Sequence, residues 1–303
     1  METKVGVAGG GLMGCGIAAK IAAAGIDVLV YDSAPTAAQR IHEACAAIFA
    51  ELKSGGVMTN DESAAAAARV RVVAHLSELS TVEMVVEAIF ESLAAKQKLY
   101  RHLEEVVRPE TIIASSTSGF TPAALFEGVR HGARCLVAHF WNPPHLIPLV
   151  EVLGSEATAV KTITATMRLL ARCGCEPVQL HKAAPGFIGN RMQFAVLREA
   201  LHLLRDGVAD AETIDTVVKQ TLGRRYRWSG PLEGADAGGL ETFLNIAMHL
   251  LPELAKGEDV LETLREHVGR GEKGRVTGRG IYMWDAARTE KLREARVRAM
   301  RER

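Results

Sequence analysis

The sequence has no net charge and no long apolar run. Its 36 lysines and arginines balance 36 aspartates and glutamates over 303 residues, so no overall field would draw it to nucleic acid or to an anionic membrane surface. No apolar run approaches the ~20 residues that cross a bilayer. No charged leader with a cleavage site precedes the first predicted strand. We therefore expect a soluble, cytoplasmic protein that binds small molecules, not nucleic acid or a membrane.

Cysteines are few and irregularly placed. The five lie at positions 15, 45, 135, 173 and 175, an odd number without the spacing of a disulfide framework. We expect free thiols, as in a reducing compartment. Cys173 and Cys175 lack the second pair of ligands that a structural zinc site needs, so the sequence predicts no metal.

Apolar residues are plentiful enough for a large core. They make up 48% of the chain, against 24% charged residues. Short apolar runs alternate with helical patterns in the first part of the chain, and helical patterns alone follow. This order predicts an α/β fold: a Rossmann-type doubly wound sheet in residues 1–184, then a mostly α-helical second domain in residues 185–303. A helical hairpin over residues 33–69 is expected to project from the first domain.

A glycine-rich turn follows the first apolar run. The turn and the start of the next helix contribute the predicted contacts Gly9, Gly11, Leu12, Met13 and Gly14. A G-x-G-x-x-G turn between a strand and a helix is typical of dinucleotide binding, because the glycines allow a tight turn, close approach of a pyrophosphate and close helix packing. Asp32 ends the next apolar run, where its carboxylate can accept from the adenosine ribose and would repel a 2′-phosphate. The sequence therefore predicts NAD as the cofactor.

A histidine and a glutamate stand out in the later strands. His139 ends an apolar run, and strand ends face the crevice in which doubly wound sheets hold ligands. Glu151 lies in Leu-Val-Glu-Val-Leu, where a buried carboxylate needs a partner. Paired, the two would form a general base with an orienting carboxylate. The alternative for His139 is a hydrogen-bonded core histidine.

A serine follows another predicted strand. Ser118 would place its hydroxyl in the same crevice as His139. A serine hydrolase that uses Ser118, His139 and Glu151 is an alternative. However, the chain has no G-x-S-x-G elbow, and that mechanism would leave the glycine turn unexplained.

Several motifs, in order, resemble those of the 3-hydroxyacyl-CoA dehydrogenase family. Beyond the glycine turn they are Glu87-Ala-Ile-Phe-Glu91 with Lys96, Ser115-Ser-Thr-Ser118, His139-Phe-Trp-Asn142-Pro, Leu149-Val-Glu151-Val, Pro185-Gly-Phe-Ile-Gly-Asn190-Arg and Thr277-Gly-Arg-Gly280-Ile-Tyr282. The likeness covers nearly the whole chain.

The resemblance implies NAD-dependent hydride transfer at a secondary alcohol, as in fatty acid metabolism. By this likeness His139 takes the hydroxyl proton and Glu151 orients and charge-stabilises the imidazole. Ser118 and Asn190 would bind the reacting oxygen. The second domain would close over the substrate.

The resemblance also implies further contacts to the cofactor. Glu91, Lys96 and Asn142, together with Ser118, would join Asp32 and the glycines in holding NAD. The alternative for Glu91 and Lys96 is a solvated ion pair at a helix start. A homodimer is implied as well, built through the helical domain.

Two departures from the family bear on the substrate. The family usually reads Ser-Asn-Thr-Ser-Ser where this chain has Ser-Ser-Thr-Ser-Gly, so the floor of the pocket differs. The hairpin, which supplies lysines to the CoA phosphates in CoA-using members, here holds three bases against four acids. A ligand with several phosphates would ordinarily meet more positive charge.

These observations leave three hypotheses. The first is the oxidation of an (S)-3-hydroxyacyl-CoA to the 3-oxoacyl-CoA. The second is the same chemistry on a substrate without CoA: a hydroxy acid, a carnitine-like alcohol, or an aromatic or pyridine aldehyde carboxylate. Arg224, Arg225 and Arg227 could anchor such a carboxylate, or could form a solvated basic turn. The third is a non-catalytic, crystallin-like NAD-binding protein.

Overall fold

The computed structural model describes residues 3–301 as two compact units. One consists of Met1–Phe187 with Arg293–Arg303, and the other of Ile188–Leu292. The sequence-based division assigned the last eleven residues to the second domain. The structure groups them with the first unit because Met300, 4% exposed, joins its core.

An eight-stranded sheet forms the centre of the first unit. Its strands in chain order are β1 (Lys4–Ala8), β2 (Asp27–Tyr31), β3 (Val70–Val73), β4 (Met84–Glu87), β5 (Ile112–Ser115), β6 (Cys135–Phe140), β7 (Leu149–Gly154) and β8 (Glu176–Gln179). Their spatial order is β3-β2-β1-β4-β5-β6-β7-β8. All neighbours are parallel except β6 and β7, which pair antiparallel. This is the Rossmann-type sheet that the sequence predicts.

Helices cover both faces of the sheet. They are α1 (Leu12–Ala23), α2 (Ala37–Ser54), α3 (Asn60–Arg69), α4 (Leu93–Val106), the short α5 (Pro122–Leu125) and α6 (Val160–Arg172). Successive strand residues point to opposite faces, so Val28 and Val30 join one apolar cluster and Leu29 joins the other. The first cluster contains residues of α1, α2 and α6, and the second contains residues of α4 and α5. Burial on both faces explains why the strands are continuous apolar runs.

The second unit is helical. It contains α7 (Gly189–Arg205), α8 (Ala211–Gln220), α9 (Leu222–Arg225), α10 (Pro231–Ala237), α11 (Leu240–Leu250) and α12 (Glu262–Gly269), and α13 (Ala286–Arg301) begins in it. The first helix of this unit, α7, begins at Gly189, because residues 185–188 form a turn in which Phe187 has a φ of 53°. Asn190 lies in the opening turn of α7.

The five cysteines are all buried, and none is paired in a disulfide within residues 3–301. Within residues 3–301, no helix has the length and apolar character needed to span a membrane.

Candidate functional site

His139 and Glu151 meet across the antiparallel pair of strands. They are directly opposite in the register of β6 and β7, so their side chains leave the same face of the sheet. His139 Nδ1 lies 2.8 Å from Glu151 Oε2, and both side chains are almost fully buried. A carboxylate at Nδ1 fixes the tautomer that carries its proton there, which leaves Nε2 as the acceptor. The arrangement suits a general base.

Two aromatic rings surround the imidazole. The Phe187 ring centroid is 5.2 Å from that of His139, and the Trp141 centroid is 6.0 Å away. Phe187 is buried in a left-handed backbone conformation that non-glycine residues rarely adopt. Strain of this kind persists where the surroundings enforce it, often at functional sites. The ring therefore limits the positions open to the imidazole.

The glycine turn has the close approaches that its sequence predicts. Gly9 has a φ of 108°, and a Cβ there would lie 2.6 Å from the carbonyl oxygen of Ala88. A Cβ at Gly14 would overlap the carbonyl oxygen of Gly9, whereas Gly11 faces open space. Leu12 and Met13 begin α1, whose N-terminus therefore opens at the turn. Such an N-terminus favours a pyrophosphate.

Asp32 is fixed beside this turn. Its Oδ2 accepts from the backbone N–H of Gly10 at 2.8 Å, and its Oδ1 accepts from that of Ala34 at 2.9 Å. Arg40 lies 3.2 Å from Oδ2 and also donates to the carbonyl of Gly10. Burial alone would raise the pKa of Asp32, but the two backbone N–H groups and Arg40 outweigh it and hold the pKa below its usual value. The side chain therefore stays ionised and can accept a ribose hydroxyl.

A cavity of about 580 Å³ lies against the turn. Gly9, Gly11 and Asp32 line one part of it, and Phe90 and Leu99 line another. Its polar and apolar parts suit a ribose and an adenine ring. Together with the glycine turn, the cavity fits the adenosine half of NAD.

The other predicted cofactor residues lie at the carboxyl edge of the same sheet. Ser118 and Asn142 are exposed in the segments that follow β5 and β6. Glu91 is 45% exposed, whereas Lys96 is 1% exposed and lies 2.6 Å from a second acid, Glu87. A solvated pair at a helix start is therefore excluded for Lys96. Asn190 belongs to the second unit, so its part in the site remains a prediction.

Three contacts near these groups were not predicted. Arg40 forms an ion pair with Asp32, the ring of Phe187 lies near that of His139, and Glu87 forms an ion pair with Lys96. The sequence did contain a signal for Glu87, because it is a carboxylate at the end of a Val-Val run. Glu151 is likewise a carboxylate among valines in its own strand. Arg40 and Phe187 are brought to their partners by tertiary packing, for which the sequence offers no spacing rule.

The fold and these residues define an NAD-binding dehydrogenase. The sequence profile described as "3-hydroxyacyl-CoA dehydrogenase, NAD binding domain" matches residues 4–183, and that described as "3-hydroxyacyl-CoA dehydrogenase, C-terminal domain" matches residues 186–284. The chain belongs to the 3-hydroxyacyl-CoA dehydrogenase family. It is an NAD-dependent enzyme acting on CH–OH groups, as its relatives are.

Three relatives illustrate the range of substrates. 5-Formyl-3-hydroxy-2-methylpyridine 4-carboxylate 5-dehydrogenase of Mesorhizobium japonicum is 31% identical over 301 residues, 99% of this chain and 96% of the relative. L-Carnitine dehydrogenase of Pseudomonas aeruginosa is 36% identical over 236 residues, 76% and 72% of the two chains. A probable 3-hydroxybutyryl-CoA dehydrogenase of Bacillus subtilis is 34% identical over 287 residues, 94% and 99%.

The pyridine carboxylate enzyme is also similar in structure. A crystal structure of 5-formyl-3-hydroxy-2-methylpyridine 4-carboxylic acid 5-dehydrogenase superposes with a TM-score of 0.89 at 30% identity, covering 100% of this chain and 97% of the other. Relatives that act on CoA thioesters and relatives that act on free carboxylated compounds thus share this fold.

Proposed function

We propose that the protein transfers a hydride between NAD and a small, free carboxylated alcohol or aldehyde, with His139 as the acid–base group. The observation that carries the reaction is the 2.8 Å contact between His139 Nδ1 and Glu151 Oε2. Among the described residues, Nε2 of His139 has no hydrogen-bond partner. It is therefore available to a substrate hydroxyl.

Each residue then has a defined task in the oxidation of the alcohol. His139 Nε2 accepts the hydroxyl proton, and Glu151 stabilises the imidazolium that forms. Ser118 and Asn190 hold the reacting oxygen, while the Phe187 ring restricts the imidazole. NAD held by the glycine turn and Asp32 would supply the acceptor for the hydride. In the reverse direction, His139 returns its proton to the oxygen.

The charges of the hairpin support a substrate without CoA. Arg40 is paired with Asp32, and Arg69 lies 3.1 Å from Asp27. Of the three bases counted in the hairpin, Lys53 alone has no ion pair among the described residues. Each phosphate of a CoA would need a cationic or N–H partner, and one exposed lysine supplies few of them.

The far end of α2 is also already covered. Met300 of α13 packs on Gly55, and Arg301 donates to the carbonyl of Ser54 at 3.2 Å. Met300 and Arg301 lie beyond the matched family segments, which end at residue 284. Their contact removes part of the hairpin surface from ligand binding.

The substrate carboxylate needs a cationic partner, and the sequence suggests three arginines for this role. Arg224 and Arg225 end the short α9 and are exposed, and Arg227 follows. Arginines bind carboxylates well because the guanidinium presents a planar pair of donors. We place the carboxylate anchor of the substrate on this group.

A 3-hydroxyacyl-CoA is the second candidate. It is supported by the resemblance of the motifs and by the full-length match to the probable 3-hydroxybutyryl-CoA dehydrogenase. The His139–Glu151 chemistry is the same for both candidates, so the substrate alone separates them.

The protein is also proposed to form a homodimer through α11. None of the residues of that helix is buried within the chain. The exposed apolar side chains are Leu240, Phe243, Leu244, Ile246, Met248 and Leu250. An apolar face of this size would be covered in a stable protein, and a second copy is the partner that the family resemblance implies.

The substrate is tested by following NADH oxidation with acetoacetyl-CoA and, in parallel, with free 3-keto acids, dehydrocarnitine and pyridine or benzene aldehyde carboxylates. We expect turnover on at least one free carboxylated compound, and kcat/KM for acetoacetyl-CoA at least about 100-fold lower. A higher kcat/KM for acetoacetyl-CoA would favour the CoA candidate. No turnover on any compound would contradict the proposed function.

A further inference from the structure

Glu87 is the most deeply buried carboxylate near the site, and the mechanism does not use it. It ends β4 and is 0% exposed. Its Oε1 accepts from Lys96 Nζ at 2.6 Å and from the N–H of Ile89 at 2.8 Å. Its Oε2 accepts from the hydroxyls of Tyr100 at 2.5 Å and Ser115 at 2.7 Å. With four donors around it, Glu87 has no accessible position for a ligand.

These donors come from three separate parts of the unit. Lys96 and Tyr100 lie one turn apart on α4, Ser115 ends β5, and Ile89 lies in the segment after β4. Burial, together with the carboxylate of Glu87, raises the pKa of Tyr100, so its hydroxyl remains a proton donor. A buried carboxylate is tolerated only when it is satisfied in this way. Glu87 thus ties the start of α4 to the ends of two strands.

Lys96 extends this network towards the surface. Its ammonium group is 2.6 Å from Glu87 and 3.2 Å from Glu91 Oε2, and the carbonyl of Ile89 lies at 3.5 Å. An ammonium has three donors. Lys96 donates hydrogen bonds to Glu87 and Ile89 and lies within ion-pair distance of Glu91, and its side chain is 1% exposed.

Glu91 is the member of the network that a ligand can reach. Its carboxylate is 45% exposed, and its Oε1 accepts from the hydroxyl of Thr117. The oxygen of Thr117 also accepts from the N–H groups of Gly119 and Phe120 at 3.3 and 3.2 Å. The side chain of Glu91 is thus held from one side by Lys96 and from the other by the segment that carries Ser118.

We propose that Glu87 is a positioning residue of the cofactor site, acting on Glu91 through Lys96. Glu91 contacts the bound NAD, whereas Lys96 transmits the position of the buried acid. The cofactor contact predicted for Lys96 from the sequence stays a prediction, and the proposal adds that Lys96 links Glu87 to Glu91. The inference rests on the proposed function only in taking Glu91 as a cofactor contact.

A double-mutant cycle on NADH binding tests this proposal. NADH fluorescence gives the Kd without any substrate, so the test does not depend on which compound the enzyme turns over. We expect Glu87→Gln, Lys96→Met and Glu91→Gln each to raise the Kd about tenfold, the loss expected for one charge-assisted hydrogen bond. Because they remove the same contact, Glu87→Gln with Glu91→Gln should also cost about tenfold, not about 100-fold.

Two further variants separate positioning from general stability. Glu105→Gln changes an exposed acid on the same helix, α4, and should leave the Kd unchanged. Thr117→Val removes the other contact to Glu91 without touching Glu87, and should raise the Kd about threefold. At saturating cofactor, kcat of Glu87→Gln should stay within about threefold of the parent enzyme, since positioning of the cofactor acts on its binding.

Several results would overturn the proposal. These are an unchanged Kd in a folded Glu87→Gln or Glu91→Gln variant, or additive losses in the double variant. If Glu87→Gln does not fold, an unchanged Kd in a folded Lys96→Met variant overturns it instead. Failure of the proposed function would look different, as normal NADH binding without turnover on any substrate.

Discussion

His139 and Glu151 are directly opposite each other on neighbouring antiparallel strands, with Nδ1 and Oε2 2.8 Å apart. β7 runs antiparallel to β6, and the register of this pair sets Glu151 opposite His139. The general base and its orienting acid are therefore built into adjacent strands.

Replacing the orienting acid should impair turnover but not cofactor binding. Glu151→Gln keeps the shape and removes the charge that stabilises the imidazolium. We expect kcat to fall on the order of 10²–10⁴-fold, with the Kd for NADH within about twofold. The control is Glu156→Gln, an exposed acid just after β7, which should retain full activity. Unchanged kcat in Glu151→Gln would exclude the orienting role.

Asp32 should set the preference for NAD over NADP. Asp32→Asn removes a charged acceptor near the ribose and the repulsion of a 2′-phosphate, while Arg40 remains. We expect NADH to bind about tenfold more weakly and NADPH to bind more tightly. Fluorescence titration with both cofactors measures this, with Asp61→Asn on α3 as the exposed control. Equal changes for NADH and NADPH would argue against the assignment.

The contact of Met300 with Gly55 should contribute to the stability of the first unit. Met300→Ala should lower the free energy of unfolding by about 2–5 kcal/mol, measured by urea denaturation. Gly55→Ala alone should destabilise by about 1–3 kcal/mol, since the new Cβ overlaps Met300 Sδ.

The same pair provides an internal check. Gly55 has a φ of −75°, which alanine adopts without strain. Once Met300→Ala has removed the sulfur, Gly55→Ala should cost far less than it does alone. Met283→Ala, at an exposed position, should change the stability by less than about 0.5 kcal/mol. Additive losses at positions 55 and 300 would show that the side chains do not meet in solution.

The exposed face of α11 should hold two copies together. Leu244 is 59% exposed and Met248 is 64% exposed, one turn apart on that helix. We expect Leu244→Glu with Met248→Glu to convert a dimer to a monomer in sedimentation velocity. Val160→Glu, at an exposed apolar position of the first unit, is the matched control. A dimer that survives both charges at α11 would place the interface elsewhere.

Much of the site could be predicted because several of its residues lie at the ends of strands. The apolar runs predicted the order of the elements. Gly9, Asp32 and His139 could then be singled out because they lie at the ends of the runs that form β1, β2 and β6. Glu151 followed from the cost of burying an unpaired acid. Only the pattern of apolar residues in the strands, the order of the strands and the charge of the side chains are needed for these predictions.

The remainder depends on packing that local sequence does not encode. The ion pair of Lys96 with the buried Glu87 was not predicted. The last helix was assigned to the second domain, but Met300 takes it into the core of the first unit. In both cases a long side chain packs against a partner that no periodic pattern in the sequence indicates.

The most direct test of the account is the turnover of His139→Gln on the best substrate. Glutamine fills similar space and can still hydrogen-bond, but it cannot accept the proton at neutral pH. We expect kcat to fall on the order of 10³-fold, while the Kd for NADH and the unfolding midpoint stay near those of the parent. A His139→Gln enzyme that kept full turnover would contradict the assignment of His139 as the acid–base group.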